Sequence, residues 1–259
     1  MKIEREEQYG WIVGTLVLSI GTILAFAPDA WLTMMARAFM LQWTFAFALL
    51  ALILVWQRRY MHIGLCSLAC MLMSAVQLEP SGIPSDPIND VAGLRVLHMN
   101  VLQPNSDHGQ IISRALASKA DVISVQEVDE VWAKVLREDL AVQYPYQLIE
   151  TRSNCYGIAL FSKLPFQSVE LIELHGSPFI EVIMDVNGRP IRLITAHATS
   201  PISYRHFQRR NAQLRELADH IAGNDITTVV IGDLNSVHWD RAHRQFRLRS
   251  GLKVVNDPD

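Results

Sequence analysis

The chain has 259 residues, half of them hydrophobic, with 23 basic and 26 acidic side chains and a net charge of −3 near neutral pH. That balance excludes a strongly basic nucleic-acid-binding protein, and three cysteines are too few for a disulfide framework or a cysteine zinc set. The charge is unevenly placed: residues 1–78 hold five of the basic and four of the acidic side chains, and the remaining 181 residues hold 18 basic and 22 acidic ones, a net charge of −4.

The uncharged runs read as membrane spans. Three of them, over 9–27, 39–56 and 61–78, each approach the ~20 apolar residues that cross a hydrocarbon core, so residues 1–78 are expected to form a transmembrane region of three helices. Trp11, Trp43, Trp56 and Tyr60 fall near the span ends, where amphipathic rings prefer the head-group layer. A soluble helical bundle is the alternative, and three such runs in succession speak against it. Lys2 and Arg5, with Arg58 and Arg59 in the second turn, place those ends in the cytoplasm and leave only Arg37 in the outer loop. The chain then leaves the third span on the outer side, which predicts a multi-pass protein of the cell membrane with an extracytoplasmic domain. Reading the first span instead as a signal peptide ending at Ala25-Phe26-Ala27 gives the same side, although Glu4, Glu6 and Glu7 make a poor positive start. Gly10 and Gly14 form a small-xxx-small pair that suits helix packing but decides nothing alone. Cys66 and Cys70 sit in the third span and Cys155 stands apart, so cysteine does not fix the compartment.

Residues 79–92 contain Pro80, Gly82, Pro84 and Pro87 among polar residues and read as a linker. The second domain, 93–259, shows apolar alternation and β-branched runs that predict strands over 94–100, 121–126, 156–162, 179–186, 190–197 and 227–232. Helical periodicity appears over 110–119, 130–140 and 204–221, the last with Phe207, Leu214, Leu217 and Ile221 on one buried face. Arg205, Arg209, Arg210 and Arg215 of that helix read as a solvated face.

Polar residues close several of these strands. Asn100 ends one, Gln126-Glu127 a second, Thr195-Ala196-His197 a third and Gly232-Asp233-Leu234-Asn235 a fourth. Each alone is commonly a turn former, but four in one domain point to groups that a rigid scaffold presents to solvent. Together with Tyr156-Gly157-Ile158-Ala159-Leu160-Phe161-Ser162, in this order and spacing, they make the chain similar to the endonuclease/exonuclease/phosphatase superfamily.

The resemblance implies an α+β fold, a four-layer αββα sandwich with the site at one end. By the same resemblance Glu127 is the metal-binding carboxylate, for Mg²⁺ or Mn²⁺, and Asn100 supports the metal and an attacking water. His197 contacts a phosphate oxygen or the leaving group, and Asp233 and Asn235 orient the water and the scissile phosphate. Independent chemistry agrees. A hard cation takes oxygen ligands, a water must be held in line, and donors must meet the phosphoryl oxygens. Asn rather than Asp at 100 and 235 avoids repelling a phosphate, and no Cys or Ser occupies these positions to form a covalent intermediate. The pattern also calls for a later Asp-His pair that nothing after Asn235 supplies, since His238 and His243 fall on an expected helix. The domain is therefore expected to lack its C-terminal part.

The leading functional expectation is a metal-dependent phosphoesterase outside the cytoplasm that acts near the membrane, on a phosphodiester, phosphomonoester or pyrophosphate bond of a lipid-linked substrate. A nuclease for external DNA or RNA needs a basic groove that a net charge of −4 disfavours. A non-catalytic membrane binding protein is the remaining alternative, and retention of all five site residues opposes it.

Overall fold

A computed structural model describes residues 2–56, 59–78 and 93–254. The expected linker over 79–92, and Arg58 of the expected basic turn, lie outside the described residues. The described residues divide into two compact units, one comprising 2–56, 59–78, 236–245 and 253–254 and the other 93–235 and 246–252.

The first unit holds α1 (Lys2–Phe26), α2 (Trp31–Ala38), α3 (Met40–Trp56) and α4 (Tyr60–Gln77). Gly10 faces His62, Gly14 faces Leu65 and Gly21 faces Ala69, so α1 and α4 run in the same direction. A Cβ on Gly21 would lie 2.8 Å from the Ala69 Cβ, and small residues here let the two helices approach closely. The Gly10–Gly14 pair is thus used within the chain. Val17, Leu24, Phe47, Leu54, Ala69 and Met73 fill the seam. Arg37 is buried and caps the end of α1, donating from Nε to the Leu24 carbonyl at 2.8 Å and from Nη2 to the Ala27 carbonyl. The Ser236–Gln245 segment packs with these helices, with Trp239 Nε1 donating to the Arg37 carbonyl at 2.8 Å and Arg241 Nη2 to the Phe26 carbonyl at 2.9 Å.

Among the described residues, two helices, Gln8–Phe26 of α1 and all of α4, are long and apolar enough to cross a membrane. A third candidate is α2 with α3, which meet at a 63° bend. The expected middle span over 39–56 therefore appears as α3, and the expected outer loop contains a short helix.

The second unit holds β1 (Val96–Asn100), α5 (His108–Ala117), β2 (Val122–Gln126), α6 (Glu130–Leu140), β3 (Tyr146–Glu150), β4 (Ile158–Ser162), β5 (Phe166–Leu174), β6 (Ser177–Val186), β7 (Arg189–His197), α7 (Tyr204–Ile221) and β8 (Thr227–Asp233). It is α+β, with two four-stranded sheets ordered β1-β2-β4-β3 and β5-β6-β7-β8. Among the described residues, only the β1–β2 and β7–β8 pairs are parallel. α8 (Arg241–Ser250) follows the last strand.

Strand alternation sets the layers. Val122, Ile158 and Leu160 of the first sheet meet Ile180, Val182, Met184 and Leu193 of the second, while Ile123, Val125 and Phe161 point the other way onto Trp132 and Leu136 of α6. α7 covers the far side of the second sheet, where Gln213 Nε2 donates to the Leu174 carbonyl at 2.9 Å. Side chains start these helices as N-cap chemistry requires: Asp107, Asp129 and Ser203 accept from the backbone N–H of Gln110, Trp132 and His206. The β5–β6 and β6–β7 hairpins turn through His175-Gly176 and Asn187-Gly188, each with two positive φ angles.

Candidate active site at the strand ends

Register brings the expected site residues to strand ends of the two facing sheets. Asn100 pairs with Gln126, so Glu127 emerges one residue beyond the Asn100 level, and His197 pairs with Asp233 across β7 and β8. β1 and β2 both contact β8, which joins the two groups.

Asn100 Nδ2 donates to Glu127 Oε1 at 2.8 Å, while its Oδ1 accepts from the Leu102 N–H at 3.0 Å. The backbone N–H of Gln103 donates to the other carboxylate oxygen, Glu127 Oε2, at 3.1 Å. Gln103 is itself held by its Nε2, which donates to the Arg152 carbonyl at 3.0 Å. Glu127 adopts a φ of 66° and Asn235 a φ of 49°, left-handed values that an ordinary side chain rarely takes and that surrounding structure must impose. Two glycines provide the room. A Cβ on Gly157 would lie 1.8 Å from the Val128 carbonyl oxygen, beside Glu127, and one on Gly232 would lie 1.9 Å from the Ala196 oxygen, beside His197.

On β8, Asp233 Oδ1 accepts the Asn235 N–H at 2.8 Å, and Asn235 Nδ2 donates to the Ala198 carbonyl at 2.9 Å. Asn235 thereby ties the ends of β7 and β8 together. Arg210, fully buried, donates from Nη1 to the Asn235 carbonyl at 3.0 Å. This corrects the solvated reading of that arginine: three residues after Phe207 on a helix, it shares the buried face.

His197 is 3% exposed, and its Nδ1 has no partner among the described residues. Burial pushes its pKa down, opposed by the Asp233 and Glu127 carboxylates and by the Cys155 carbonyl. Its ring lies 5.5 Å from that of Tyr156, which in turn sits under the Arg209 guanidinium. Below the site Gln126, Ser124 and Thr195 form a buried polar bridge between the sheets, with Gln126 Nε2 donating to Ser124 Oγ at 2.9 Å and Thr195 Oγ1 at 3.0 Å.

Sequence reasoning passed over His98. Burial lowers its pKa, Asp233 opposes that, and the neighbouring His197 adds to it, so the structure brings two histidines to one aspartate. The signal was available, because positions 98 and 100 of a strand share a face.

Glu127 fits a divalent cation. Each of its oxygens accepts one hydrogen bond, whereas a carboxylate offers about four lone-pair positions, so ligand capacity remains. Asn100 and Gln103 fix its orientation, as groups behind a metal ligand commonly do. Glu170, Glu181 and His220 form another cluster, with ligand atoms within 4.8 Å of one another. There Glu181 is already matched by His220 at 2.7 Å and Arg192 at 3.5 Å.

The endonuclease/exonuclease/phosphatase family pattern matches residues 97–258. The chain belongs to this family. It is accordingly a metal-dependent hydrolase of phosphate ester bonds. No curated protein matches the chain in sequence. Among solved structures, humanized D. rerio TDP2 aligns with a TM-score of 0.51 at 19% identity, over 58% of this chain and 70% of that one. Sphingomyelinase C from Streptomyces griseocarneus aligns with a TM-score of 0.52 at 21% identity, over 61% and 69%. A hairpin-deleted beta toxin from Staphylococcus aureus gives 0.51 at 20% identity, over 64% and 75%. At these identities the likeness is one of fold.

Proposed function

We propose that this family member hydrolyses a phosphodiester, phosphomonoester or pyrophosphate bond of a lipid-linked substrate outside the cytoplasm, using Mg²⁺ or Mn²⁺ held at Glu127. The observation that carries the reading is the Asn100–Glu127 hydrogen bond facing the His197–Asp233 strand pair. When bound, the cation offsets negative charge on the non-bridging phosphate oxygens. Asn100 fixes the Glu127 carboxylate, Asp233 accepts a proton from and orients the attacking water, and His197 contacts a phosphoryl oxygen or the leaving group. Asn235 holds the Asp233 loop in place and directs the scissile phosphate.

The apolar helices support a site kept close to lipid, which raises the encounter rate with a membrane-borne substrate. The side is inferred from Arg59 at one end of the helices and from the contacts of Ser236–Gln245 with Phe26 and Arg37 at the other. The test is hydrolysis by the detergent-purified chain of a polyprenyl pyrophosphate, a phospholipid, a soluble phosphodiester and DNA, each with and without chelator. Faster turnover of a lipid substrate, abolished by chelator, is the expected result; faster turnover of DNA contradicts the lipid assignment. Reporter fusions after Asp259 test the side, and a reporter active only in the cytoplasm contradicts it.

A further inference from the structure

We propose that the cavity between α1, α3 and α4 binds the phosphate head group of an anionic phospholipid, with an acyl chain against Val13 and Leu54. The inference rests on the proposed membrane placement of these helices and is independent of the hydrolytic site.

The cavity measures about 280 Å³ and is lined by Tyr9, Gly10, Val13, Leu54, Arg59 and His62. His62 is only 8% exposed, and neither ring nitrogen has a hydrogen-bond partner among the described residues. Buried polar groups are ordinarily satisfied, so a ring with an unmet donor and an unmet acceptor calls for an outside partner. Gly10 has no side chain, which lets the His62 ring and the Arg59 guanidinium both close onto α1 at the cavity. The position a Gly10 Cβ would take lies 2.8 Å from His62 Nε2 and 2.9 Å from Arg59 Nη1, so an imidazole and a guanidinium converge on one point.

The start of α4 adds to the same field. Arg59 is its N-cap residue and no side chain caps that end, so the positive end of an 18-residue helix dipole faces the region of Arg59 and His62. Guanidinium, imidazole and helix N-terminus together select an anion with several acceptor oxygens, which a phosphate is.

The rest of the lining selects a lipid over free phosphate. Val13 and Leu54 offer an apolar wall that an inorganic ion leaves unused. Trp11, Trp56 and Tyr60 are exposed near the same helix ends, where aromatic side chains mark the head-group layer.

Native mass spectrometry of the full chain in mild detergent, after incubation with phosphatidylglycerol, phosphatidylcholine or inorganic phosphate, reads this out. One retained phosphatidylglycerol per chain is expected, with phosphatidylcholine retained at least about tenfold less because its trimethylammonium repels Arg59, and phosphate unable to compete because it leaves the apolar wall unused. His62→Phe and Arg59→Gln should each cut retention about tenfold, while His62→Gln, which keeps hydrogen-bonding atoms, should hold most of it. Equal retention in His62→Phe, equal loss in His62→Gln and His62→Phe, equal binding of phosphatidylcholine, or displacement by phosphate would overturn the proposal. A chain that stays in solution without detergent contradicts the membrane placement itself, whereas a detergent-dependent chain that holds no lipid contradicts this site alone.

Discussion

The Asn100 side-chain amide donates to Glu127 Oε1 at 2.8 Å, joining the end of β1 to the residue just past β2. The two residues are parts of one arrangement: Asn100 leaves the carboxylate one orientation, and the Gln103 N–H at 3.1 Å holds the second oxygen. Truncating Asn100 to Ala should therefore weaken divalent-metal affinity by about 10- to 100-fold, the usual cost of losing a group behind a ligand. Glu127→Gln should weaken it further. Mn²⁺ titration followed by electron paramagnetic resonance measures both, and unchanged affinity in either variant counts against a cation at Glu127.

The two glycines beside the site are expected to be intolerant. Gly157→Ala and Gly232→Ala would drive a Cβ within 2 Å of a carbonyl oxygen, at 1.8 Å and 1.9 Å, and Gly232 also has a φ of 142°. Backbone must shift in both, so each should lose more than about 3 kcal/mol, in the range of severe single substitutions. Gly109 in α5 has nothing within 4 Å of its Cβ position. Gly109→Ala should be neutral or stabilise by up to about 1 kcal/mol through helix propensity. Chemical denaturation of the three variants checks the contrast.

Much of this arrangement was legible in the sequence. Strands β1, β2, β4, β6, β7 and β8 carry apolar residues buried against both neighbours or follow clear alternation, and their polar last residues announced Asn100, His197 and Asp233. β5 and β3 were not anticipated. β5 is an edge strand with a largely exposed face, so Gln167, Ser168, Glu170 and Glu173 break the hydrophobic period that marks a strand. His98 and Arg210 were missed for another reason. Their roles depend on which elements face them: β8 for His98, and the Asn235 loop for Arg210.

Protonation of His197 links the site to stability. Burial lowers its pKa below the ordinary 6.5, so the unfolded chain binds a proton that the folded chain refuses. Stability is then full above about pH 6.5 and falls as pH drops from there toward the folded value, by at most about 1.4 kcal/mol per pH unit for this group. His197→Gln removes that contribution. Melting temperatures at pH 7.5 and 5.5 should differ less in the variant than in the wild-type chain, and an equal difference contradicts the buried neutral imidazole.

The role assigned to Asp233 separates chemistry from binding. Asp233→Ala should lower turnover about a hundredfold or more, as loss of a positioned proton acceptor does, while Mn²⁺ affinity at Glu127 stays close to wild type. A loss of metal affinity equal to that of Glu127→Gln would place Asp233 among the metal ligands instead.

The most direct test of a Glu127-centred phosphoesterase is the rate of hydrolysis of a phosphodiester reporter by the purified chain as Mg²⁺ is titrated after chelation. A cation held at Glu127 requires no turnover without metal, a saturable recovery with Mg²⁺ or Mn²⁺, and a recovery curve displaced to higher metal concentration by Asn100→Ala and abolished by Glu127→Gln. Turnover that persists in chelator, or a Glu127→Gln curve that overlays the wild type, would contradict it.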